Sequence, residues 1–265
     1  MDELPETFSI SGALEIRNRL QEITGGKVLD VATGSGNLIE ALMKMLKDYD
    51  CFIGIEISEK ELESARKKFE GQRTEFVEMD AEHLKFEDNS FDTVCMSYSL
   101  HHLENIDGVL AEMKRVLKPG GYFIVQEEFS DGEQNEAQKT GILMNHLNCE
   151  IDSLLGIVHH KTYPKQKIKD MIDSLQLSGL ETFESVQAVR CLICDRKFDC
   201  QGKESTIDEF AKMIDDDLRR LDKQVDLQVL DRLRKEGEGI KERMRKYGSA
   251  NASSLFFIGR KWPPR

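Results

Sequence analysis

The amino-acid sequence predicts an α/β protein built on a doubly wound, seven-stranded and mostly parallel sheet. Strand and helix patterns alternate along residues 27–128. Each of these strand patterns is apolar throughout, which is typical of a parallel sheet covered by helices on both faces. The first strand ends in a glycine-rich turn that opens a helix. At 265 residues, the chain is also long enough to bury a large core.

Five strands and the helices between them account for the first half of the chain. The helices show apolar residues at three- and four-residue spacing, as in residues 37–46 and 107–117. Ser58 and Glu61 form a capping box that begins the helix after the second strand. A Lys-Pro-Gly-Gly sequence ends the helix before the fifth strand. The predicted strands cover residues 27–33, 51–57, 74–80, 91–99 and 121–128.

After Phe129, long helical stretches replace the alternation. We expect a single domain over residues 1–265 with two helical insertions, 129–180 and 195–250, because no internal repeat or flexible linker occurs. The first insertion is expected to cap the active site, and the second precedes the last strand. The predicted elements are helices over 133–158, 165–180 (ending at Gly179) and 205–246 (beginning at Ser205), and strands over 186–194 and 254–262.

The chain is acidic, with 37 Lys and Arg against 49 Asp and Glu and a formal net charge of −12. Nucleic-acid binding depends largely on Lys and Arg at phosphates, so this balance disfavours a nucleic-acid partner. Residues 203–246 hold twelve acidic and twelve basic residues. The acidic excess therefore belongs to the rest of the chain, and a homodimer, if formed, is expected to use the helical insertions.

The same composition indicates a protein of the cytoplasm. No apolar run approaches the roughly 18 residues of a membrane-spanning helix. The first ten residues, MDELPETFSI, have neither the basic start nor the apolar core of a secretory signal. Six cysteines are few for this length, and Cys51 and Cys95 lie inside apolar runs. We therefore expect a cytoplasmic protein with reduced thiols and no membrane partner.

A metal site is considered at Cys191, Cys194 and Cys200, because C-x-x-C can form half of a zinc site. The first two cysteines fall inside a strand pattern, in which residues three apart point to opposite faces. No second ligand pair follows at zinc-finger spacing. We therefore predict reduced strand cysteines and no bound metal.

The chemistry begins at the turn Asp30–Gly36, DVATGSG. A glycine turn between a strand and a helix lets a ligand approach the backbone and meet the helix N-terminus. Nicotinamide cofactors and S-adenosylmethionine both use this shape. The dinucleotide fingerprint G-x-G-x-x-G is incomplete, since Ile39 stands three residues after Gly36. The carboxylate of Asp30 suits a ligand with an amino group and a sulfonium better than a pyrophosphate.

Two further acids follow the next predicted strands. Glu56 ends the second strand, where a carboxylate can bind both hydroxyls of a ribose. Asp80 and Ala81 end the third strand, where a carboxylate can accept a hydrogen bond from an exocyclic adenine amine. Together with the glycine turn, these acids indicate an adenosine-containing ligand.

With these motifs in place, the chain resembles the class I S-adenosylmethionine-dependent methyltransferases. Five linked motifs in the family's order and spacing are far more specific than any one of them. The matching segments are VLDVATGSGN (28–37), GIEIS (54–58), EMDAEHL (78–84), FDTVCMSYSLHHLEN (91–105) and EMKRVLKPGGYFIVQE (112–127).

The resemblance implies S-adenosyl-L-methionine as cofactor and gives a role to each motif. One departure is Ala32, where many family members have glycine, and we expect it to tighten the turn only slightly. The implied cofactor-binding residues are Asp30, Ala32, Gly34 and Gly36 on the methionine side, Glu56 with Ile57 at the ribose, Asp80 and Ala81 at the adenine, and Ser97 beside the sulfonium.

Candidates for the catalytic step are His101 and His102, which follow the fourth strand near the expected methyl group. A histidine here can accept a proton or orient the acceptor. The alternative is that one of them packs the loop with Leu100 and Leu103. We prefer His102 over His101.

Candidates for the acceptor site lie at the end of the fifth strand and in the first insertion. Glu128 follows the neighbouring Glu127 at the strand end. His146 and Glu150 lie four residues apart on the flank of a helical apolar stripe. Such a pair can chelate a metal, but we favour either a polar pair in the interior or contact with the substrate. We therefore predict Glu128, His146 and Glu150 as substrate-binding residues.

The leading hypothesis is methyl transfer to a small-molecule acceptor. One alternative is a methyltransferase acting on tRNA or on a protein side chain. Another is a non-catalytic regulatory protein that binds S-adenosylmethionine. The accepting atom, whether oxygen, nitrogen, sulfur or carbon, is left open.

Overall fold

A computed structural model describes residues 12–185 and 204–262. Seven strands form one sheet, and helices connect most of them. The strands are β1 (Lys27–Val31), β2 (Cys51–Glu56), β3 (Thr74–Glu78), β4 (Phe91–Ser97), β5 (Leu117–Glu128), β6 (Ser178–Ser185) and β7 (Ser254–Arg260). The helices are α1 (Ala13–Leu20), α2 (Asn37–Met45), α3 (Glu59–Lys68), α4 (Ile106–Val116), α5 (Glu136–Leu154), α6 (Lys165–Asp173), α7 (Glu204–Arg219) and α8 (Leu227–Tyr247).

The strand order is β3-β2-β1-β4-β5-β7-β6, and four neighbouring pairs are parallel. The Gly120 amide donates to the Lys261 carbonyl at 2.8 Å, and the Phe129 amide donates to the Ser253 carbonyl at 3.0 Å. The first bond pairs the start of β5 with the end of β7, and the second pairs the end of β5 with the start of β7. The two strands therefore run antiparallel. The predicted doubly wound, mostly parallel sheet is therefore confirmed.

The described chain divides into two compact units. The sheet unit comprises residues 12–127, 166–185 and 255–262, and the helical unit comprises 128–165 and 204–254. The sheet unit buries one large apolar cluster that contains residues of β1, β2, α2 and α3. Its central strands are apolar on both faces, as Val28, Leu29 and Val94 are fully buried.

The helical unit has an apolar core of its own. It is formed where α5, α7 and α8 present residues at three- and four-residue spacing to one another, as Phe210, Ile214 and Leu218 do on α7. Leu147 of α5 and Leu233 of α8 are fully buried in this core. Burying one leucine side chain stabilises a fold by roughly 1.5–3 kcal/mol.

Several element boundaries differ from those expected. The helix predicted over 165–180 ends at Asp173, and Gln176 follows in the left-handed conformation with φ 50. Gly179 does not end a helix but lies in β6, where the Ser178 hydroxyl donates to the Arg260 carbonyl at 3.1 Å. Residues from Ser178 onward thus form a strand beside β7, although the spacing of their apolar residues is helical. The strand predicted over 186–194 lies outside the described residues.

The charged stretch predicted as one helix over 205–246 is two helices. The Asp226 carboxylate accepts from the Gln228 and Val229 amides at 2.9 and 3.0 Å, which begins α8. The first helix starts at Glu204, so Ser205 lies within it. The expected helix over 133–158 is shorter, at Glu136–Leu154. The capping of α3 is as predicted, with the Ser58 hydroxyl accepting from the Glu61 amide at 3.4 Å.

No helix in the described ranges is both long and apolar enough to cross a membrane.

Candidate cofactor and active site

The turn between β1 and α2 has the backbone shape that its glycines allow. Gly34 and Gly36 have φ of 51 and 80, and Ala32 has φ of 53. A Cβ at Gly34 would meet no described atom within 4 Å, whereas a Cβ at Gly36 would lie 2.5 Å from the Phe69 ring. Gly36 is the N-cap of α2, and no described side chain caps it. The turn therefore presents open backbone and uncapped helix amides, which suit an anionic group.

Asp30 lies fully buried beneath this turn. Its carboxylate accepts from the Thr33 hydroxyl at 2.6 Å and from the Cys95 thiol at 3.6 Å. Burial raises the pKa of Asp30 to about 7, against the opposing effect of these two donors, and the nearby charge of Glu56 adds to the rise. A cationic ligand group would stabilise the ionised carboxylate.

Glu56 ties the end of β2 to the glycine turn. Its carboxylate accepts from the Gly34 amide at 3.0 Å, from the Ile57 amide at 2.9 Å and from the Ser58 amide at 3.1 Å. Ile57 is 72% exposed. An acid and an exposed apolar side chain therefore stand side by side, which suits a ligand with a polar ribose and an apolar ring.

The end of β3 supplies a second, more exposed acid. The Asp80 carboxylate accepts from the Glu82 amide at 2.9 Å, and its other oxygen lies 3.8 Å from Nδ1 of His83. Ala81 is half-buried beside it. The carboxylate is thus held by the turn and still open to a ligand.

The end of β4 is followed by a residue with an unusual backbone conformation. Tyr98 has φ of 51, a conformation that a bulky side chain rarely adopts. Its amide donates to the Gln126 carbonyl at 2.8 Å, and the Gln126 side-chain amide donates to its hydroxyl at 2.5 Å. Ser97 is half-buried, and its carbonyl accepts from the Ser99 hydroxyl at 2.8 Å. Strain of this kind concentrates at functional sites.

His101 and His102 form part of a short 3₁₀ helix directly after β4. His101 is buried, and its Nδ1 lies 2.8 Å from the carboxylate of Glu127. Glu127 is fully buried at the end of β5, and its second oxygen accepts from the Leu100 amide at 2.8 Å. A carboxylate facing Nδ1 favours a proton on that nitrogen, and in the neutral form of such a ring Nε2 is the atom that can accept a proton.

His102 is exposed, and its ring centroid lies 4.3 Å from that of His101. The geometry therefore supports His101 more strongly than the preferred His102, because His101 has the orienting acid. Glu127 and Glu128 are neighbours in the sequence, and no sequence pattern indicated which of the two carboxylates contacts His101. The contributions of Thr33, Cys95, Tyr98 and Gln126 were also missed. The spacing of Thr33, three residues after Asp30, was the one signal that could have suggested a partner.

The three predicted substrate residues lie in the helical unit, each with contacts of its own. Glu150 is ion-paired with Arg232 of α8. His146 is half-buried, and its Nε2 has no partner among the described residues. Burial, together with the charge of Lys161, lowers the pKa of His146. Glu128 lines a small cavity with residues of α5 and α7.

The cysteines considered for zinc, Cys191, Cys194 and Cys200, lie outside the described residues. Cys51, Cys95 and Cys149 are free thiols. Burial raises the pKa of Cys149 to about 12 and that of Cys95 well above its ordinary value, so both thiols stay protonated at neutral pH.

Part of this chain is similar to known proteins. Residues 29–125 match the family model described as a methyltransferase domain. Over 96 residues the chain is 44% identical to the ubiquinone/menaquinone biosynthesis C-methyltransferase UbiE of Desulfotalea psychrophila. That match covers 36% of this chain and 39% of the relative, so the chain spans well under half of the length of this relative.

Solved structures extend the likeness over nearly the whole chain at the level of fold. A phosphoethanolamine N-methyltransferase 2 of Haemonchus contortus, solved with S-adenosylhomocysteine, is 19% identical, with a TM-score of 0.53 over 95% of this chain and 52% of its own. The [4+2]-cyclase SpnF is 17% identical, with a TM-score of 0.56 over 94% of this chain and 80% of its own. Proteins of this fold therefore catalyse more than one reaction, so the function has to be argued from the residues of the site.

Proposed function

We propose that this chain, whose residues 29–125 match the model of a methyltransferase domain, is a class I methyltransferase that transfers a methyl group from S-adenosyl-L-methionine to a small molecule. One observation carries the proposal. The open, left-handed turn at Gly34 and Gly36 lies between the buried acid Asp30 and the ribose-type acid Glu56. This charge pattern suits a ligand that is cationic at one end and carries a diol in the middle.

The residues present fit the cofactor. Asp30 would hold its cationic methionine end, and the uncapped amides at the start of α2 would meet its carboxylate. Glu56 would accept from the ribose hydroxyls, while Asp80 and Ala81 would frame the adenine. Ile57 would cover the apolar face of the adenosine, and Ser97 would lie near the sulfonium. Ala32 would shape the turn through its backbone.

When bound, the cofactor supplies an electrophilic methyl group, and the protein supplies alignment and water exclusion. His101 is proposed to accept a proton from the acceptor at Nε2. Glu127 is its positioning residue, because its carboxylate keeps the other ring proton on Nδ1. His102 is proposed to contact the acceptor beside it.

Acceptor recognition is proposed for Glu128, the last residue of β5, and for His146 and Glu150 of α5. We further propose that the insertion 129–180 caps the acceptor. The curated relative is named as a C-methyltransferase of ubiquinone and menaquinone biosynthesis. Quinone-type aromatic compounds are therefore the first acceptor class to test.

Isothermal titration with S-adenosylmethionine and S-adenosylhomocysteine tests cofactor binding. Hydrogen bonds to a charged group contribute about 1.5–3 kcal/mol, so Glu56→Ala should weaken binding by at least about tenfold. The control is Glu63→Ala, since Glu63 is an exposed acid of α3. Absence of binding by the wild-type protein, together with an unchanged Asp80→Ala variant, would overturn the proposal.

Methyl transfer is then measured by mass spectrometry across small-molecule, tRNA and peptide panels. Methylation of tRNA or peptide alone would favour the macromolecular alternative. The net charge of −12 disfavours RNA as the methyl acceptor. Tight cofactor binding with no methylated product on any panel would favour a regulatory binding protein. A cytoplasmic location and a homodimer through the helical insertions are further proposals, which fractionation and light scattering test.

A further inference from the structure

Tyr98, the residue directly after β4, has a backbone conformation that does not suit its side chain. Its φ is 51, in the left-handed region that favours glycine. A glycine would relieve the strain, yet the chain places a large aromatic residue at this position. Strained residues persist where the surrounding contacts enforce them, and they indicate that the side chain has a role.

Gln126 of β5 holds both the backbone and the ring of Tyr98. Ser97 and Gln126 are partners in the register of β4 and β5. One residue further on, the Tyr98 amide donates to the Gln126 carbonyl at 2.8 Å, and the Gln126 side-chain amide donates to the Tyr98 hydroxyl at 2.5 Å. The hydroxyl therefore has a defined position at the carboxyl end of the parallel strands, which is where α/β proteins bind their ligands.

The neighbours of Tyr98 belong to the proposed cofactor and catalytic groups. The hydroxyl of the next residue, Ser99, donates to the Ala32 carbonyl of the glycine turn at 3.4 Å. Three residues after Tyr98 comes His101, whose Nδ1 lies 2.8 Å from the Glu127 carboxylate. Tyr98 thus lies in the short segment that joins the cofactor turn to the proposed base, and a methyl acceptor has to meet both of these groups.

The Tyr98 hydroxyl is suited to recognise an oxygen atom. A tyrosine hydroxyl has one proton to donate and two lone pairs. The bond from Gln126 uses a lone pair and not the proton, so the hydroxyl can donate to a ligand. Tyr98 is half-buried, and a donor that is partly shielded from water discriminates against a ligand that lacks the matching oxygen.

We propose that Tyr98 determines acceptor specificity by donating a hydrogen bond from its hydroxyl to an oxygen atom of the methyl acceptor, with Gln126 as its positioning residue. The acceptor is then an oxygenated compound such as a phenol, and an amine without that oxygen binds poorly. The inference rests on the proposed function, because it concerns the acceptor of that same site.

Isothermal titration of the full chain, saturated with S-adenosylhomocysteine, tests the inference with two probes that are neutral at pH 7. The hydroxyl oxygen of 1-naphthol accepts hydrogen bonds. The probe 1-naphthylamine has the same shape, but its nitrogen is a weak acceptor because the lone pair is delocalised into the ring. One hydrogen bond between neutral groups should make 1-naphthol bind about threefold to tenfold more tightly. Equal affinity of the two probes, or no binding of 1-naphthol, would overturn the inference.

Three variants locate the donor. Tyr98→Phe removes only the hydroxyl, so affinity for 1-naphthol should fall by about threefold to tenfold while affinity for 1-naphthylamine stays within about twofold. Gln126→Leu removes the amide that positions the hydroxyl and should abolish the preference for 1-naphthol. Tyr122→Phe is the matched control and should keep the preference, since the hydroxyl of Tyr122 accepts from Arg260. An unchanged preference in Tyr98→Phe would contradict the inference, and an unchanged preference in Gln126→Leu would contradict the positioning role.

The cofactor titration separates this inference from the proposed function. Failure of the wild-type protein to bind S-adenosylhomocysteine would overturn both. If the wild-type and Tyr98→Phe proteins bind S-adenosylhomocysteine equally and show the same ratio of probe affinities, the role of Tyr98 alone is refuted.

Discussion

The buried carboxylate of Asp30 should make the ligand-free protein less stable as the pH rises. The pKa of Asp30 is about 7 in the folded protein, against an ordinary value of 3.8. Between these values the folded protein keeps a proton that the unfolded chain has released, so the free energy of unfolding falls as the pH increases. The penalty grows from pH 3.8 to pH 7 and is constant above that window.

Its size follows from the two pKa values. At about 1.36 kcal/mol for each unit of pKa, the full penalty is about 4 kcal/mol at pH 8. At pH 5 the same linkage gives about 1.7 kcal/mol, because the folded carboxyl is still protonated while most unfolded chains are ionised. Asp30→Asn removes the ionisation, so its effect on stability should be about 2 to 3 kcal/mol more favourable at pH 8 than at pH 5.

Urea denaturation of the wild-type protein and of Asp30→Asn at pH 5 and pH 8 measures this difference. Subtracting the two proteins at each pH removes the contributions of all other titrating groups. Asp173→Asn, at an exposed acid of the same unit, should show the same small effect at both pH values. If Asp30→Asn changes the free energy of unfolding by the same amount at pH 5 and pH 8, the proposed linkage to Asp30 is refuted. Asp30→Asn should also lose affinity for S-adenosylmethionine, because the cationic ligand then meets no charge.

Three further predictions follow from single positions. Ala32 has φ of 53, so Ala32→Gly should raise the free energy of unfolding by about 1 kcal/mol in urea denaturation; a lower value would contradict a strained turn. Glu127→Gln should lower the methyl-transfer rate at least tenfold while the Kd of S-adenosylmethionine stays the same, and an unchanged pH profile of the rate would argue against a positioning role. A Cβ at Gly141 would overlap the Ala250 carbonyl, so Gly141→Ala should destabilise the protein by about 1–3 kcal/mol in the same assay, whereas Gly239→Ala, with open space at its Cβ, should not.

We expect Asp30 to connect the stability of the protein with cofactor binding. An acid buried among apolar strands destabilises the ligand-free fold, and the same burial strengthens its attraction for a cation. Cofactor binding is therefore expected to raise stability most at alkaline pH, where the unligated carboxylate is charged. Thermal midpoints measured with S-adenosylhomocysteine at pH 6 and pH 8 would show this trend.

The sequence by itself determined the strands of the sheet unit up to β5 and led to the prediction of its cofactor-binding residues. Continuous apolar strands, helical spacing and the glycine turn are local patterns, and backbone conformation follows from them directly. The acids at the ends of β1, β2 and β3 could be placed because the carboxyl ends of parallel strands meet at one edge of a sheet. For Ser97 and Ile57, however, the predicted roles came from the resemblance to a family.

Only the tertiary structure decided the partners of those residues. The thiol of Cys95 reaches Asp30 because β1 and β4 are neighbours in the sheet, although 65 residues separate the two in sequence. Glu127 reaches His101 through the pairing of β4 with β5, and the sequence could not choose between the two histidines. Past residue 173, pairing at the sheet edge turned a helical pattern into β6. Burial, cross-strand register and pKa depend on neighbours distant in sequence, and for that reason local patterns could not predict them.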